Sequence, residues 1–173
     1  MPRESETGAG DWSALLEPLR SDPARSALLT DVDGTLAPIV ERAEDASVPE
    51  RARAALATLN ERYGLVGCIS GRQALDARRL VGLDDLAYAG NHGLELLLPG
   101  DPEPRSDPSL DGREAEASEF LAGLGAGALA EAGLRREDKG PIQALHWRGA
   151  ENEGHAEGCA HEIAVAAGQA GLE

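Results

Sequence analysis

The stretch LLTDVDGTLAPIV, Leu28 to Val40, decides how this chain is read. Ala27 to Thr30 form a short apolar run that breaks off in Asp31-Val32-Asp33-Gly34-Thr35, which predicts a buried strand delivering carboxylates to its C-terminal end. Asp31 and Asp33 stand at i and i+2, so a locally extended backbone sends both side chains to one side of the sheet edge. Two carboxylates that close repel one another. A hard divalent cation such as Mg²⁺, which takes one or two protein carboxylates and several waters, offsets that repulsion. A phosphate could then approach Asp31, and an aspartate oxygen is able to attack phosphorus to give an acyl phosphate. Asp and Gly are also ordinary turn formers, so these residues alone fit a plain turn or a weak calcium loop as well.

Working outward, Ser47 to Tyr63 carries helix signals: Ser47 ahead of Pro49 and Glu50, then Ala52, Leu56, Leu59 and Tyr63 at helical spacing, with Gly64 as the stop. Leu65 to Ile69 is a second apolar run, ending at Ser70-Gly71-Arg72 and followed by a short helix from Gln73 to Val81. Leu86 to Ala89 is a third, ending at Gly90-Asn91-His92-Gly93 ahead of the apolar Leu94 to Leu98. Strands alternating with helices predict an α/β fold, a parallel sheet with helices on both faces and its ligand site at the strand C-termini. Pro99 to Gly112, rich in proline and acids, reads as an exposed connection and places a boundary there. Beyond it a helix is expected over Arg113 to Ala132, then two extended stretches, LRRED and PIQALHWRG, separated by a Gly-Pro turn. Ile142, Ala144, His146 and Arg148 alternate with Gln143, Leu145 and Trp147, a strand with two different faces, so one of His146 and Trp147 is expected in the core. A last helix is expected over Glu153 to Gly171.

Composition narrows the partners. The 173 residues hold 31 acidic against 16 basic side chains, a formal net charge of −15, which repels a nucleic-acid backbone or an anionic membrane over most of the surface. Neither nucleic acid nor membrane is an expected partner. Aromatic content of 3% leaves little for base stacking. No run of 18 or more apolar residues occurs, and MPRESETGAG lacks the apolar stretch of a secretory signal, so a cytoplasmic location is expected. Cys68 and Cys159 are too few for a disulfide scaffold and read as reduced and structural. His161-Glu162 begins like a zinc-protease helix, but Val165 stands where the second histidine would be.

Four segments together carry a resemblance. LLTDVDGTLAPIV resembles motif I of the haloacid dehalogenase (HAD) superfamily of phosphohydrolases, and its Asp-x-Asp-Gly-Thr-Leu-x-Pro form is similar to the trehalose-6-phosphate phosphatase branch. CISGR at Cys68 to Arg72 resembles motif II, and YAGNHGLE at Tyr88 to Glu95 resembles the segment leading to the cap. EDKGPIQALHWR at Glu137 to Arg148 resembles the cap's substrate-binding hairpin, with Trp147 where the family usually has Tyr. The resemblance implies a HAD-like Rossmannoid sheet over residues 25–100 and a partial α+β cap over 101–173, with 1–24 an N-terminal extension and first helix. It implies that Asp31 is the nucleophile and a Mg²⁺ ligand, and that Asp33 is a general acid whose backbone carbonyl also meets the metal. Ser70, Gly71 and Arg72 would bind phosphate; Glu137, Lys139 and Arg148 would hold the sugar.

The residues themselves admit other roles. Ser70 also fits a cap on the helix that follows, and Arg72 also fits a brace for its loop. Lys139 and Arg148 fit a solvated pair on an exposed hairpin as well. The implied partner is a small sugar phosphate, trehalose 6-phosphate, hydrolysed through phospho-Asp31 to trehalose and phosphate. Another glycosyl phosphate, or sugar-phosphate binding without catalysis, are the alternatives. The family has a later lysine and an acidic GDDxTDE-like segment, and neither appears by Glu173. The expectation is therefore an N-terminal portion with weak Mg²⁺ binding and little turnover, whose unfinished sheet leaves an open edge and exposed apolar surface.

Overall fold

The apolar run ahead of the acidic turn becomes strand β1 (Ala27–Asp31) in the computed structural model, which describes residues 12–40, 42–140 and 142–172. β1 pairs in parallel with β2 (Leu65–Ile69), Asp31 standing beside Ile69, and β2 pairs in parallel with β3 (Ala87–Gly90). Parallel neighbours need a crossover, and helices α1 (Glu50–Asn60) and α2 (Ala74–Val81) supply it. The parallel arrangement ends there. β4 (Glu95–Leu97) turns back against β3, and β5 (Arg105–Ser106) against β4, both antiparallel, so the five-stranded sheet is mixed and extends past residue 100. The cause is local: Asn91 and His92 take left-handed φ values of 48° and 59°, and with Gly93 they reverse the chain in a turn too short for a crossover.

One face of this sheet is the main core. Val66, Cys68, Tyr88 and Leu97 pack with Leu56 of α1 and with Ala74, Ala77 and Val81 of α2. The pleat sends Leu29, Leu65, Ile69 and Leu96 to the other face, where they are 58%, 39%, 42% and 43% exposed. Among the described residues α1 and α2 cover a single face, where the sequence led one to expect two, and β1 has a neighbour on one side only. A short helix ahead of β1, Trp12–Ser21, buries none of its residues. The rest of the expected N-terminal extension, residues 1–11, lies outside the described residues.

Gly90 marks the tightest approach between β3 and α2. A Cβ there would lie 2.2 Å from the Ala74 nitrogen and 2.7 Å from its Cα. Backbone cannot give way as a side-chain tip can, so Gly90→Ala is expected to destabilise the fold by about 3 kcal/mol. A urea titration checks this as a lower midpoint at unchanged slope; an unaltered midpoint would contradict it.

After β5 the chain builds a smaller unit. The single helix expected over Arg113 to Ala132 is two, α3 (Arg113–Leu124) and α4 (Ala126–Glu131), because Gly125 between them takes φ 79° and ψ 134°. That region is open to glycine and closed to most other residues, so the helix breaks where it stands. β6 (Arg135–Lys139) and β7 (Ile142–His146) form an antiparallel hairpin, with Gly140 at φ 73° in its turn. Asn152 caps the last helix, α5 (Glu153–Gln169), by accepting the His155 N–H at 3.1 Å. Leu129, Leu134, Ala156 and Ala160 make a second small core, flanked by Leu145 and Ile163. Neither His146 nor Trp147 belongs to it, which corrects the expectation for that pair.

Candidate active site

The acidic turn is shaped by one carbonyl. Val32 is fully buried, and its C=O accepts the N–H groups of Thr35, Leu36 and Ala37 at 3.4, 3.0 and 2.9 Å. Gly34, at φ 93°, closes the coil by donating to the Ala37 carbonyl at 2.7 Å. Asp31 therefore ends the strand, exposed, while Asp33 is carried into a cleft. On the neighbouring strand β2 the buried Cys68 thiol is pushed up to about 11, by burial first and then by the Asp31 charge; it stays protonated and inert.

Ser70 follows β2 directly and is 2% exposed. Its Oγ accepts the Arg72 N–H at 3.1 Å, so its side chain stiffens the loop rather than capping α2. The cap comes from elsewhere: Glu95, buried on β4, accepts the Ala74 N–H at 2.8 Å. Gly71 faces the His92 ring, which a Cβ would meet at 2.7 Å, and its carbonyl accepts from Lys139 Nζ at 3.1 Å. Arg72 grips Asp33 with both arms of its fork, Nε to Oδ2 at 2.9 Å and Nη2 to Oδ1 at 2.8 Å, and donates from Nη1 to the Ala43 carbonyl at 3.1 Å. The Asp33 hydrogen bonds raise the affinity of this guanidinium for its proton, against the opposing effect of burial. Of the two roles its reach allowed, Arg72 here fills that of a brace. Both oxygens of this carboxylate are thus taken up as acceptors by one guanidinium.

Across the cleft, the hairpin presents Glu137, whose Oε2 lies 2.6 Å from His146 Nε2 and 3.6 Å from Lys139 Nζ. Burial works to raise the Glu137 carboxyl, but the His146 hydrogen bond and the Lys139 charge outweigh it and hold the group below the usual glutamate range. A depressed folded value contributes stability that is complete above the ordinary glutamate range and lost as pH falls through the depressed one. The wild-type chain is thus expected to lose more stability than Glu137→Gln between about pH 6 and pH 3, by less than about 1 kcal/mol because both partners are half exposed. Urea midpoints across that range test it, and parallel acid responses would refute it.

The cleft, about 690 Å³, is lined by Asp33, Arg42, Arg72, Arg135, Glu137 and His146 among others. A neighbouring recess of about 640 Å³ shares Arg42, Arg135 and His146 and adds Trp147 and Arg148. Asp33, Arg72 and Glu137 are thus brought together, with Lys139 beside Glu137, whereas Arg148 falls past the end of β7 and lines the recess. Sequence reasoning missed His146, Arg42, Arg135, Asn91 and Glu95. For His146 the one available cue was its place on the same strand face as Arg148. Among the described residues no three His, Cys, Asp or Glu side chains gather to hold a metal. With both Asp33 side-chain oxygens on Arg72, the donors that suit Mg²⁺ are the exposed Asp31 carboxylate and the Asp33 main-chain carbonyl. Such a small set fits an ion that keeps most of its waters.

Parallel strands crossed by helices, an acidic turn ending the first of them and a hairpin unit beyond the sheet make an α/β fold. The trehalose-phosphatase family profile matches residues 29–163, and the chain belongs to that family. A probable trehalose-phosphate phosphatase of Sinorhizobium fredii is 32% identical over 151 residues, 83% of this chain and 52% of that protein. An uncharacterized glycosyl hydrolase of Mycobacterium tuberculosis is 40% identical over 128 residues, 72% of this chain and 9% of that protein. The C-terminal domain of trehalose-6-phosphate phosphatase from C. albicans shares the fold, with a TM-score of 0.71 at 20% identity, over 96% of this chain and 58% of that one. The chain spans about half or less of the length of these two curated relatives.

Proposed function

We propose that the cleft receives trehalose 6-phosphate and that Asp31 attacks its phosphorus, giving trehalose and then phosphate. The observation that carries this reading is the Asp31 carboxylate at the end of β1, one strand from the Ser70-Gly71-Arg72 loop, with Asp33 two residues on, Arg72 and Glu137 lining the cleft and Lys139 tied to Gly71. As the Asp31–phosphorus bond forms, the bond to the sugar oxygen breaks, and that oxygen takes a proton from Asp33. Asp33 can carry a proton only when Arg72 has released it, so the role of Asp33 requires the guanidinium to move, and an incoming phosphate is the anion that would draw it. Water then attacks the phospho-aspartate, Asp33 accepts its proton, and phosphate leaves with Asp31 regenerated. The Ser70 hydroxyl, which accepts from Arg72 N–H, keeps its own proton for a phosphoryl oxygen.

Glu137 and Lys139 suit sugar hydroxyls as acceptor and donor, and Arg148 in the adjoining recess suits the far part of a disaccharide. The Asp31 carboxylate and the Asp33 carbonyl would hold Mg²⁺, whose charge, when bound, lets an anionic phosphate approach an anionic nucleophile. In this reading residues 25–100, with β5 added to their sheet, are a catalytic core, the rest of 101–173 part of a cap over it and 1–24 an extension, and the protein works in the cytoplasm. A phosphate-release assay with trehalose 6-phosphate beside other sugar phosphates tests it. Trehalose 6-phosphate should be preferred, and preference for a different sugar defeats the substrate assignment. Calorimetric binding without turnover would favour a sugar-phosphate-binding module instead.

A further inference from the structure

Asn91 is fully buried, 0% exposed, and is held at a left-handed φ of 48°. Its Nδ2 donates to Glu95 Oε1 at 2.8 Å and to the main-chain carbonyl of Lys139 at 2.8 Å, a partner 48 residues away in sequence. Both partners are acceptors, so the amide can be oriented only one way. Glu95 uses its other oxygen on the first N–H of α2 at 2.8 Å, and the Asn91 N–H donates to the Arg72 carbonyl at 2.8 Å. One residue thus joins the start of α2, the Ser70-Gly71-Arg72 loop and the tip of the β6–β7 hairpin. Lys139 adds a second tie at that tip, donating from Nζ to the Gly71 carbonyl. Lifting the hairpin would break both ties together and strip a buried amide of a partner it has in the docked state.

We infer that Asn91 is a positioning residue that clasps the hairpin onto the phosphate loop, so that the Glu137 and Lys139 side chains are held beside the cleft only while the clasp is made. The clasp rests on the proposed function only for the ligand it serves: with the hairpin docked, Glu137 and Lys139 lie where a sugar phosphate in the cleft would meet them. Glu95 and the α2 N-terminus would hold Asn91 in place whether or not the hairpin is down, which makes the core side the fixed half and the hairpin the moving one.

Spin labels on the native Cys159 of α5 and on Ala55→Cys, an exposed position of α1, report the distance between the two units; Cys68 is buried and stays unlabelled. Asn91→Ala and Lys139→Met are compared with wild type, with circular dichroism confirming that each is folded. The expected result is one narrow distance distribution in wild type, broadened toward longer distances in both variants. Trehalose 6-phosphate should bind about tenfold more weakly to Asn91→Ala, which touches no part of the sugar, and orthophosphate within about twofold of wild type. Distributions identical to wild type in both variants overturn the clasp. Should Asn91→Ala not fold, Asn91→Gly decides in its place, because it removes the same amide while suiting the left-handed φ of 48°. A clasp that broadens as expected in a chain that binds no trehalose 6-phosphate leaves the inference standing and sinks the proposed substrate. Tight binding with unchanged distances does the reverse.

Discussion

Asp31→Asn is expected to lower phosphate release from trehalose 6-phosphate by about four orders of magnitude or more. The amide has the shape of the carboxylate but no charge and little nucleophilicity, so the loss falls on bond formation to phosphorus rather than on the fold. Asp31 is exposed at the end of β1, so the variant should unfold at nearly the wild-type urea concentration. Acid-quenched mass spectrometry sharpens the test. Wild type should carry a covalent phosphate on Asp31 during turnover and Asp31→Asn none. Release within about tenfold of wild type, or a phosphate on the variant, would place the nucleophile elsewhere and remove the basis of the proposed chemistry.

Arg72→Ala should have the next largest effect, a loss of about two to three orders of magnitude in turnover together with about 1–2 kcal/mol of stability. The stability loss follows from what Arg72 touches now: it joins Asp33 to the Ala43 carbonyl, and without it the turn after β1 is tied to the β2 loop less firmly. The larger kinetic loss follows from what it is proposed to touch next, the phosphate that draws it off Asp33. Arg72→Lys separates the two. A lysine ammonium can neutralise a phosphate but cannot grip both oxygens of Asp33, so stability should stay low while part of the turnover returns. Full recovery of both by lysine would mean that only net charge matters and that the fork geometry is incidental.

Much of the fold was legible because its signals are local. The apolar runs of β1, β2 and β3, the helical spacing over Leu56 and Leu59, the glycines at the turns and the alternation of β6 and β7 all act within a few residues of themselves. Where a local signal was overread, the structure shows why. The helix through Gly125 breaks on one glycine, and the strand within Leu94 to Leu98 pairs antiparallel because its connection from β3 is four residues long and cannot cross over. The acidic turn was read as a pair of like carboxylates needing a cation; Asp33 instead has a guanidinium for its partner.

By itself, then, the sequence determined the strand and helix alternation, the acidic turn at the end of β1 and the hairpin, since period and punctuation act on neighbours along the chain. Only the tertiary structure decided that Leu29, Ile69 and Leu96 stay part exposed on one face of the sheet among the described residues, that Arg72 holds Asp33 across 39 residues, that Glu95 caps α2 across 21 and that Asn91 meets Lys139 across 48. A charged or amide side chain has many candidate partners of the right chemistry in a chain with 31 acids, and only packing settles which one comes within 3 Å.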